Sequence, residues 1–172
     1  MAQKNRLEGG LINRKNPCTF EFNGQSMQGF EGDTLASALL ANDVRLVGRS
    51  FKYHRPRGMI SAGSEEPNAI VELRTGSRKE PNSRATTTEL YDGLVAHPQN
   101  CWPSLNFDFL GINDLLAPFL TAGFYYKTFM WPSVFWEKVY EPIIRRAAGL
   151  GSASLEPDPD CYCLLYTSPS PR

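Results

Sequence analysis

An Asn-Gly pair, Asn23-Gly24, lies between two short runs of residues that favour β-strands, 19–22 and 25–30. The two central residues of a type I′ turn both need positive φ, and Asn followed by Gly adopts this geometry readily. Two β-compatible runs joined by such a pair are typical of a hairpin. We therefore predict a β-hairpin over residues 19–30.

The hairpin is followed by a short pattern that predicts a helix. Asp33 can accept hydrogen bonds from the amides of the first helical turn, and Asn42 is a plausible end. Leu35 and Leu39 recur at helical spacing, so both should face the core. Further strands are predicted over 69–73, 85–90 and 94–95. A hairpin, a helix and then more strands is an α+β layout, for which a β-grasp fold is the natural candidate.

Composition excludes several classes of protein. Eighteen Lys and Arg residues balance eighteen Asp and Glu residues, whereas a dedicated nucleic-acid binder needs a basic excess. Aromatic residues make up 12% of the chain, too many for a disordered protein. There is no apolar run long enough to span a membrane, and the polar start lacks the apolar core of a signal peptide. We expect no membrane association and a cytoplasmic location.

Changes in residue composition and periodicity divide the chain into three expected regions. These are a β-grasp domain over 1–100, a helical linker or annex over 101–150 and an unstructured tail over 151–172. Apolar spacing predicts one helix around 115–120 and a second from Pro132 to Ala148. The annex is rich in aromatic rings, and we favour an interface over a self-contained core because aromatic residues dominate interface energetics. Residues 164–172 differ from the rest of the chain, and we expect them to be non-native sequence.

The densest cluster of charge is the segment 49–58, called here the basic loop. Arginine forks match phosphate and carboxylate geometry, so one interpretation is an anion-binding or docking loop. The alternative is a solvated basic turn fixed by Pro56 and Gly58. His54 has no partner in a nucleophile pattern, and we predict no catalytic residue in the chain. The candidate anion contacts are Arg49, Lys52, Arg55 and Arg57.

Long strings of the sequence resemble the alpha-subunit family of heterotetrameric sarcosine oxidases, over residues 3 to about 160. The strings are 3–12, 30–40, the basic loop and 113–119. The resemblance implies a 2Fe-2S ferredoxin-like β-grasp domain at the N-terminus of a longer subunit. It also implies that the subunit continues into a dinucleotide-binding domain and a folate-binding domain.

Relatives of such a domain in other amine dehydrogenases hold a [2Fe–2S] cluster through a C-x₄-C-x₂-C pattern and a fourth, downstream cysteine. The positions that match these ligands carry other residues: Ser61, Glu66, Ala69 and Thr86. An iron–sulfur cluster requires thiolate ligands. We therefore predict a ferredoxin-like domain without a cluster and without a metal site.

The resemblance further implies oxidative demethylation of sarcosine to glycine, with tetrahydrofolate as one-carbon acceptor and O₂ reduced to H₂O₂. It places FAD in the beta subunit, FMN between the alpha and beta subunits and NAD in the later part of the alpha subunit. The implied partners of this chain are the rest of the alpha subunit and the beta, gamma and delta subunits. The chain itself is then structural, without a complete active site.

Two other hypotheses remain open from the sequence. The chain could be an autonomous ferredoxin-like module that docks a redox partner through the basic loop. It could also be a cluster-bearing electron-transfer domain, which the four non-cysteine residues disfavour. Exposed aromatic residues in the annex would favour the subunit fragment over the autonomous module.

Overall fold

The computed structural model describes residues 3, 5–119, 122–123, 131–147, 149, 151–157 and 159. Seven strands lie within this part of the chain: β1 (Asn13–Phe22), β2 (Gln25–Glu31), β3 (Gly48–Arg49), β4 (Pro56–Arg57), β5 (Ile70–Leu73), β6 (Glu80–Arg84) and β7 (Leu94–Pro98). Five of them form one mixed sheet in the order β2-β1-β7-β5-β6, and β3 pairs with β4 in a separate ribbon. Helix α1 (Leu35–Ala41) covers the sheet, which gives the predicted α+β, β-grasp fold.

The predicted hairpin is confirmed. Asn23 and Gly24 have φ of 53° and 76°, the pair of positive values that a type I′ turn needs. The pairing of Phe22 with Gln25 closes the turn, and β1 then runs antiparallel to β2. On its other side β1 pairs in parallel with β7, where Phe20 lies opposite Leu94. The first and last strands of the domain are therefore neighbours at the centre of the sheet.

Helix α1 has the predicted core residues but a different N-cap. Leu35 and Leu39 are fully buried, and Asn42 is the C-cap, as predicted. The N-cap is Thr34, whose side chain accepts a hydrogen bond from the Ser37 amide. Asp33 is instead buried and accepts two hydrogen bonds from the Arg6 guanidinium, at 2.7 and 3.1 Å. The capping prediction for Asp33 was wrong, because its carboxylate accepts hydrogen bonds from Arg6, the Phe30 amide and the Ser37 hydroxyl rather than from an amide of the first helical turn.

The hydrophobic core lies between α1 and the inner face of the sheet. Its largest fully buried apolar side chains are Phe20, Phe22, Leu35, Leu39, Leu94, Val47 and Val71. Burying each such side chain contributes about 1.5–3 kcal/mol. Gly29 on β2 leaves room for this packing, since a Cβ there would lie 2.2 Å from the Leu90 side chain.

The strand predicted over 85–90 does not form. The strand at this edge of the sheet is β6, which ends at Arg84. The hydroxyls of Thr87 and Thr88 both donate to the Arg84 carbonyl, at 3.3 and 2.8 Å. Threonine side chains that bond to nearby backbone compete with a strand ladder, and here they fold the segment into a turn. The strand predicted at 94–95 forms and extends to Pro98 as β7.

The annex contains short helical pieces, three of which join without a break into one helical run over 133–147. The helix predicted from Pro132 is therefore confirmed, with changes of winding along its length, whereas the one predicted around 115–120 does not form in the described residues. In the described part of the annex the pieces are two 3₁₀ segments, Phe109–Asp114 and Ser133–Phe135, a π-helical turn, Trp136–Tyr140, and helix α2 (Glu141–Ala147). Pro132 is the N-cap of the second 3₁₀ segment. Around 115–120 the described residues form turns; Leu120 and several predicted aromatic residues, 124–126 and 129, lie outside the described part. The division at residues 100 and 150 therefore stays a prediction.

The described residues of the third region, 151–157 and 159, form no helix or strand. The Gly151 amide donates to the Asn82 side chain at 3.2 Å, so the chain returns to β6 at this point. The predicted non-native end, 164–172, lies outside the described residues. Within the described chain, no helix has both the length and the apolar character needed to cross a membrane.

Candidate functional site: the loop at the ligand positions

The loop that leads from β4 to β5 closes around the carboxylate of Glu66. Glu66 Oε2 accepts hydrogen bonds from the amides of Ile60 and Ser61, at 2.7 and 2.6 Å, and from the Ser61 hydroxyl at 3.2 Å. Glu66 Oε1 accepts one from the Asn68 amide at 2.8 Å. The residue is 0% exposed. A charged side chain is thus fully buried and bonded at both oxygens by the loop around it.

The other three predicted ligand positions lie in this loop or next to it. Ser61 touches the carboxylate directly. Ala69, at the entrance to β5, is fully buried and accepts a hydrogen bond from the Ala85 amide at 2.9 Å. The Thr86 hydroxyl donates to the Gly63 carbonyl at 2.8 Å. The fold therefore brings Thr86 against the loop that holds Ser61 and Glu66, so the two parts of the predicted ligand pattern meet where the loop joins the sheet.

The environment of Glu66 favours its charged form. Burial alone would raise the pKa of this carboxyl group. The hydrogen bonds from the amides of Ser61, Asn68 and Ile60 and from the Ser61 hydroxyl outweigh burial and lower the pKa below its ordinary value. The site thus holds a buried anion that is stabilised by backbone dipoles.

These residues do not fit an iron–sulfur cluster. Thiolates hold the irons of such clusters, and the four positions offer a hydroxyl, a carboxylate, a methyl group and a second hydroxyl. The carboxylate and the Thr86 hydroxyl are already engaged by the chain itself. Cys18 and Cys101, the two cysteines in the described part, lie on β1 and after β7. Among the described residues, no three His, Cys, Asp or Glu side chains are grouped so as to hold a metal ion.

The basic loop is tied to the start of the annex through Arg49. The Arg49 guanidinium donates to the Leu105 carbonyl at 2.7 and 3.0 Å, to the Asn106 carbonyl at 3.1 Å and to the His54 carbonyl at 3.0 Å. The Asn100 side chain adds a hydrogen bond to the Ser50 carbonyl at 2.6 Å. Sequence reasoning treated Arg49 as a candidate anion contact. In the fold its donors point at backbone carbonyls instead.

The other three cations of the loop are near its surface. Arg55 pairs with Asp114 of the annex at 2.7 Å, and both side chains are about half exposed. The Lys52 ammonium and the Arg55 guanidinium both lie over the Tyr53 ring, at 5.0 and 4.8 Å from its centroid. Arg57 lies on β4 and is exposed. Two of the four candidate anion contacts, Arg49 and Arg55, thus join the loop to the annex, and a role for the four in anion binding stays a prediction.

A buried His–Asp pair also links the loop and the annex, and sequence reasoning missed it. His54 Nδ1 lies 2.5 Å from Asp108 Oδ2, and the side chains are 2% and 0% exposed. The other oxygen of Asp108 accepts from the amides of Trp102 and Leu110, at 3.1 and 3.2 Å. No local pattern could reveal a partner 54 residues away. Asp108 anchors the imidazole, and the pair closes the basic loop onto the annex.

Comparison with known proteins places the β-grasp part of the chain in a family. Residues 15–101 match the model of the 2Fe-2S iron-sulfur cluster binding domain, about half of the chain. The chain belongs to the 2Fe-2S iron-sulfur cluster binding domain family. The match spans Ser61, Glu66, Ala69 and Thr86, the four residues predicted from the sequence to stand at the cluster-ligand positions, and none of them is a cysteine.

Longer similarity connects this family member to the alpha subunits of sarcosine oxidases. It is 67% identical over 153 residues to "Sarcosine oxidase subunit alpha" of Rhizobium meliloti (strain 1021). The matched region covers 89% of this chain and 16% of that protein. A protein of the same name from Corynebacterium sp. (strain U-96) is 44% identical over 91 residues, 51% of this chain and 9% of that protein. The resemblance inferred from the sequence strings is confirmed. The chain spans less than a fifth of the length of these relatives.

A solved structure of L-proline dehydrogenase from P. horikoshii also matches this family member. The two sequences are 26% identical, and the matched region covers 52% of this chain and 17% of that chain with a TM-score of 0.41.

Proposed function

We propose that this chain is the N-terminal part of a sarcosine oxidase alpha subunit. The whole enzyme would oxidise sarcosine to glycine, pass the one-carbon unit to tetrahydrofolate and reduce O₂ to H₂O₂. The observation that carries this proposal is the 67% identity to such a subunit over 153 residues, which reaches beyond the β-grasp domain into the annex. The similarity covers 16% of that relative, so most of the enzyme would lie outside this chain.

In this proposal the chain is structural. FAD, FMN, NAD and tetrahydrofolate would be bound by the rest of the alpha subunit and by the beta, gamma and delta subunits, in the cytoplasm. The buried Glu66 loop supports this role, because it leaves the domain without the thiolates that an electron-carrying cluster requires. No reaction step would run through the residues of this chain.

The annex would be the surface that packs on the rest of the enzyme. Its described part exposes many large apolar side chains, and Phe119 and Trp131 are 80% and 84% exposed. Others on this surface are Trp102, Phe107, Phe109, Ile112, Leu115, Val134, Phe135 and Ile143. Apolar patches of this kind mark interaction sites. Arg49 and the His54–Asp108 pair hold the start of the annex, at residues 105–108, against the domain.

The test is assembly of the complete enzyme. Co-expression of the full alpha subunit with its partner subunits should give sarcosine-dependent H₂O₂ formation, and deletion of the segment 1–157 should abolish it. Phe109→Asp combined with Ile112→Asp should lower recovery of the other subunits at least tenfold, because charges in a buried interface are costly. Leu11→Asp is the matched control, since Leu11 is fully exposed outside the annex.

Two results would contradict the proposal. One is a complete, active complex that forms without this segment. The other is sarcosine oxidation by this chain unaided. Normal assembly of the Phe109→Asp, Ile112→Asp variant, with loss of assembly on changing the basic loop, would favour the alternative of a module that docks through that loop.

A further inference from the structure

We propose that the loop over residues 60–68 is a carboxylate-binding site whose occupant is the side chain of Glu66, and that this internal anion takes the structural place of the cluster in the family. Three backbone amides, those of Ile60, Ser61 and Asn68, converge on the two carboxylate oxygens at 2.6–2.8 Å. This inference does not depend on the sarcosine proposal, because it rests on the contacts of the loop and on membership of the cluster-binding domain family.

The physical need for an anion follows from the donors. A backbone amide that is shielded from water and has no acceptor is costly, so nearly all such donors are paired. The hydrogen bonds from the three loop amides to Glu66 are partly buried. In iron–sulfur proteins, hydrogen bonds to the cluster sulfurs form part of the site. A ferredoxin-like loop that lacks the cluster must find another acceptor for its inward amides. The Glu66 side chain reaches them from the second of the four ligand positions and supplies both negative charge and lone pairs.

Within the described residues the Glu66 carboxylate is bonded by backbone amides and a hydroxyl and by no cation. Successive backbone amides that point into one concavity form an anion-binding nest. The nearest cation shown in contact with the residue is Arg84 on β6, and its guanidinium donates at 3.3 Å to the backbone carbonyl of Glu66, not to the carboxylate. The Ser61 hydroxyl adds a fourth hydrogen bond. A loop built in this way should select a small carboxylate.

The first experiment is chemical rescue. Glu66→Ala removes the carboxylate and leaves the amides in place, and the thermal midpoint of the 172-residue chain should fall by at least about 5 °C. Formate or acetate should then raise the midpoint in a saturable way and recover at least half of the loss, measured against chloride at equal ionic strength. The wild type and Glu65→Ala should show no such rise, since Glu65 is the adjacent, exposed glutamate.

Absence of saturable rescue, or an equal rise in Glu65→Ala, would overturn the proposal. If Glu66→Ala does not fold, the variant Glu66→Gln tests the proposal instead. Glu66→Gln keeps the shape and removes the charge, so the amides of residues 60, 61 and 68 should exchange with solvent at least tenfold faster, while amides of α1 keep their rates. Uniform acceleration across the chain, or no acceleration in the loop, would show that Glu66 is not the local anchor of these amides.

Discussion

The carboxylate of Asp108 lies 2.5 Å from Nδ1 of His54, and both side chains are excluded from solvent. The two residues come from different parts of the molecule, the basic loop and the start of the annex. No sequence pattern around Asp108 predicts a contact with His54. The pair nevertheless sets how the aromatic annex leaves the β-grasp domain.

Asp108→Ala should destabilise the chain by about 2–4 kcal/mol, because it leaves a buried imidazole and two amide donors without an acceptor. The matched control is Asp114→Ala, which removes the half-exposed partner of Arg55 in the same annex. Exposed ion pairs contribute at most about 1 kcal/mol. Urea unfolding of both variants measures the difference, and equal losses would show that the His54–Asp108 contact is not stabilising.

Arg49→Ala should loosen the annex more than it destabilises the domain. The guanidinium donates to the carbonyls of residues 105, 106 and 54, and alanine removes all of these donors at once. We expect chymotrypsin to cleave the variant within 102–110 at least tenfold faster than the wild type. Arg57→Ala is the control, since Arg57 is exposed on β4. An unchanged cleavage rate in Arg49→Ala would mean that other contacts hold the annex.

Stability should fall in acid because of Glu66. The pKa of Glu66 in the folded chain lies below the ordinary glutamate value of 4.5. Its contribution to the free energy of unfolding is therefore complete well above pH 4.5 and is lost as the pH falls through the lower folded pKa. The pKa of Asp33, which pairs with Arg6, is also lowered, so its contribution to stability is likewise lost as the pH falls. The charged groups next to Glu66 are Arg84 on β6 and Glu65 in the loop.

The measurement is the urea midpoint between pH 7 and pH 3. Glu66→Gln should be less stable than the wild type at pH 7, and the difference should shrink below the ordinary glutamate pKa as the wild-type carboxylate takes up a proton. Glu65→Gln should follow the wild-type curve. A Glu66→Gln curve parallel to that of the wild type over the whole range would contradict the assignment of the buried anion.

The purified chain should contain no stoichiometric iron or acid-labile sulfide, because Ser61, Glu66, Ala69 and Thr86 supply no thiolate. Iron and sulfide assays after anaerobic treatment with iron and sulfide test this, together with the visible absorption spectrum. One cluster per chain would show that ligands outside these positions hold it. A cluster-bearing family member treated in parallel is the positive control.

Several features could be predicted from the sequence because their causes are local. The Asn23-Gly24 turn depends on two residues that tolerate positive φ, and helix α1 depends on the spacing of Leu35 and Leu39. The residues at the four predicted ligand positions can likewise be read directly, and none is a cysteine. Together these features predict a β-grasp fold without cluster ligands.

The tertiary structure decided the features that depend on partners far away in the chain. Asp33 could cap the helix or pair with a cation, and only the path of the N-terminal segment brings Arg6 to it. The sequence could not tell whether Glu66 faces solvent, and the fold of the loop turns it onto three amides. Arg49 likewise resembles a surface anion contact until segment 105–106 passes beside it. Local conformational preference fixes turns and helices, whereas a polar side chain takes its partner from whichever distant backbone the packed core brings close.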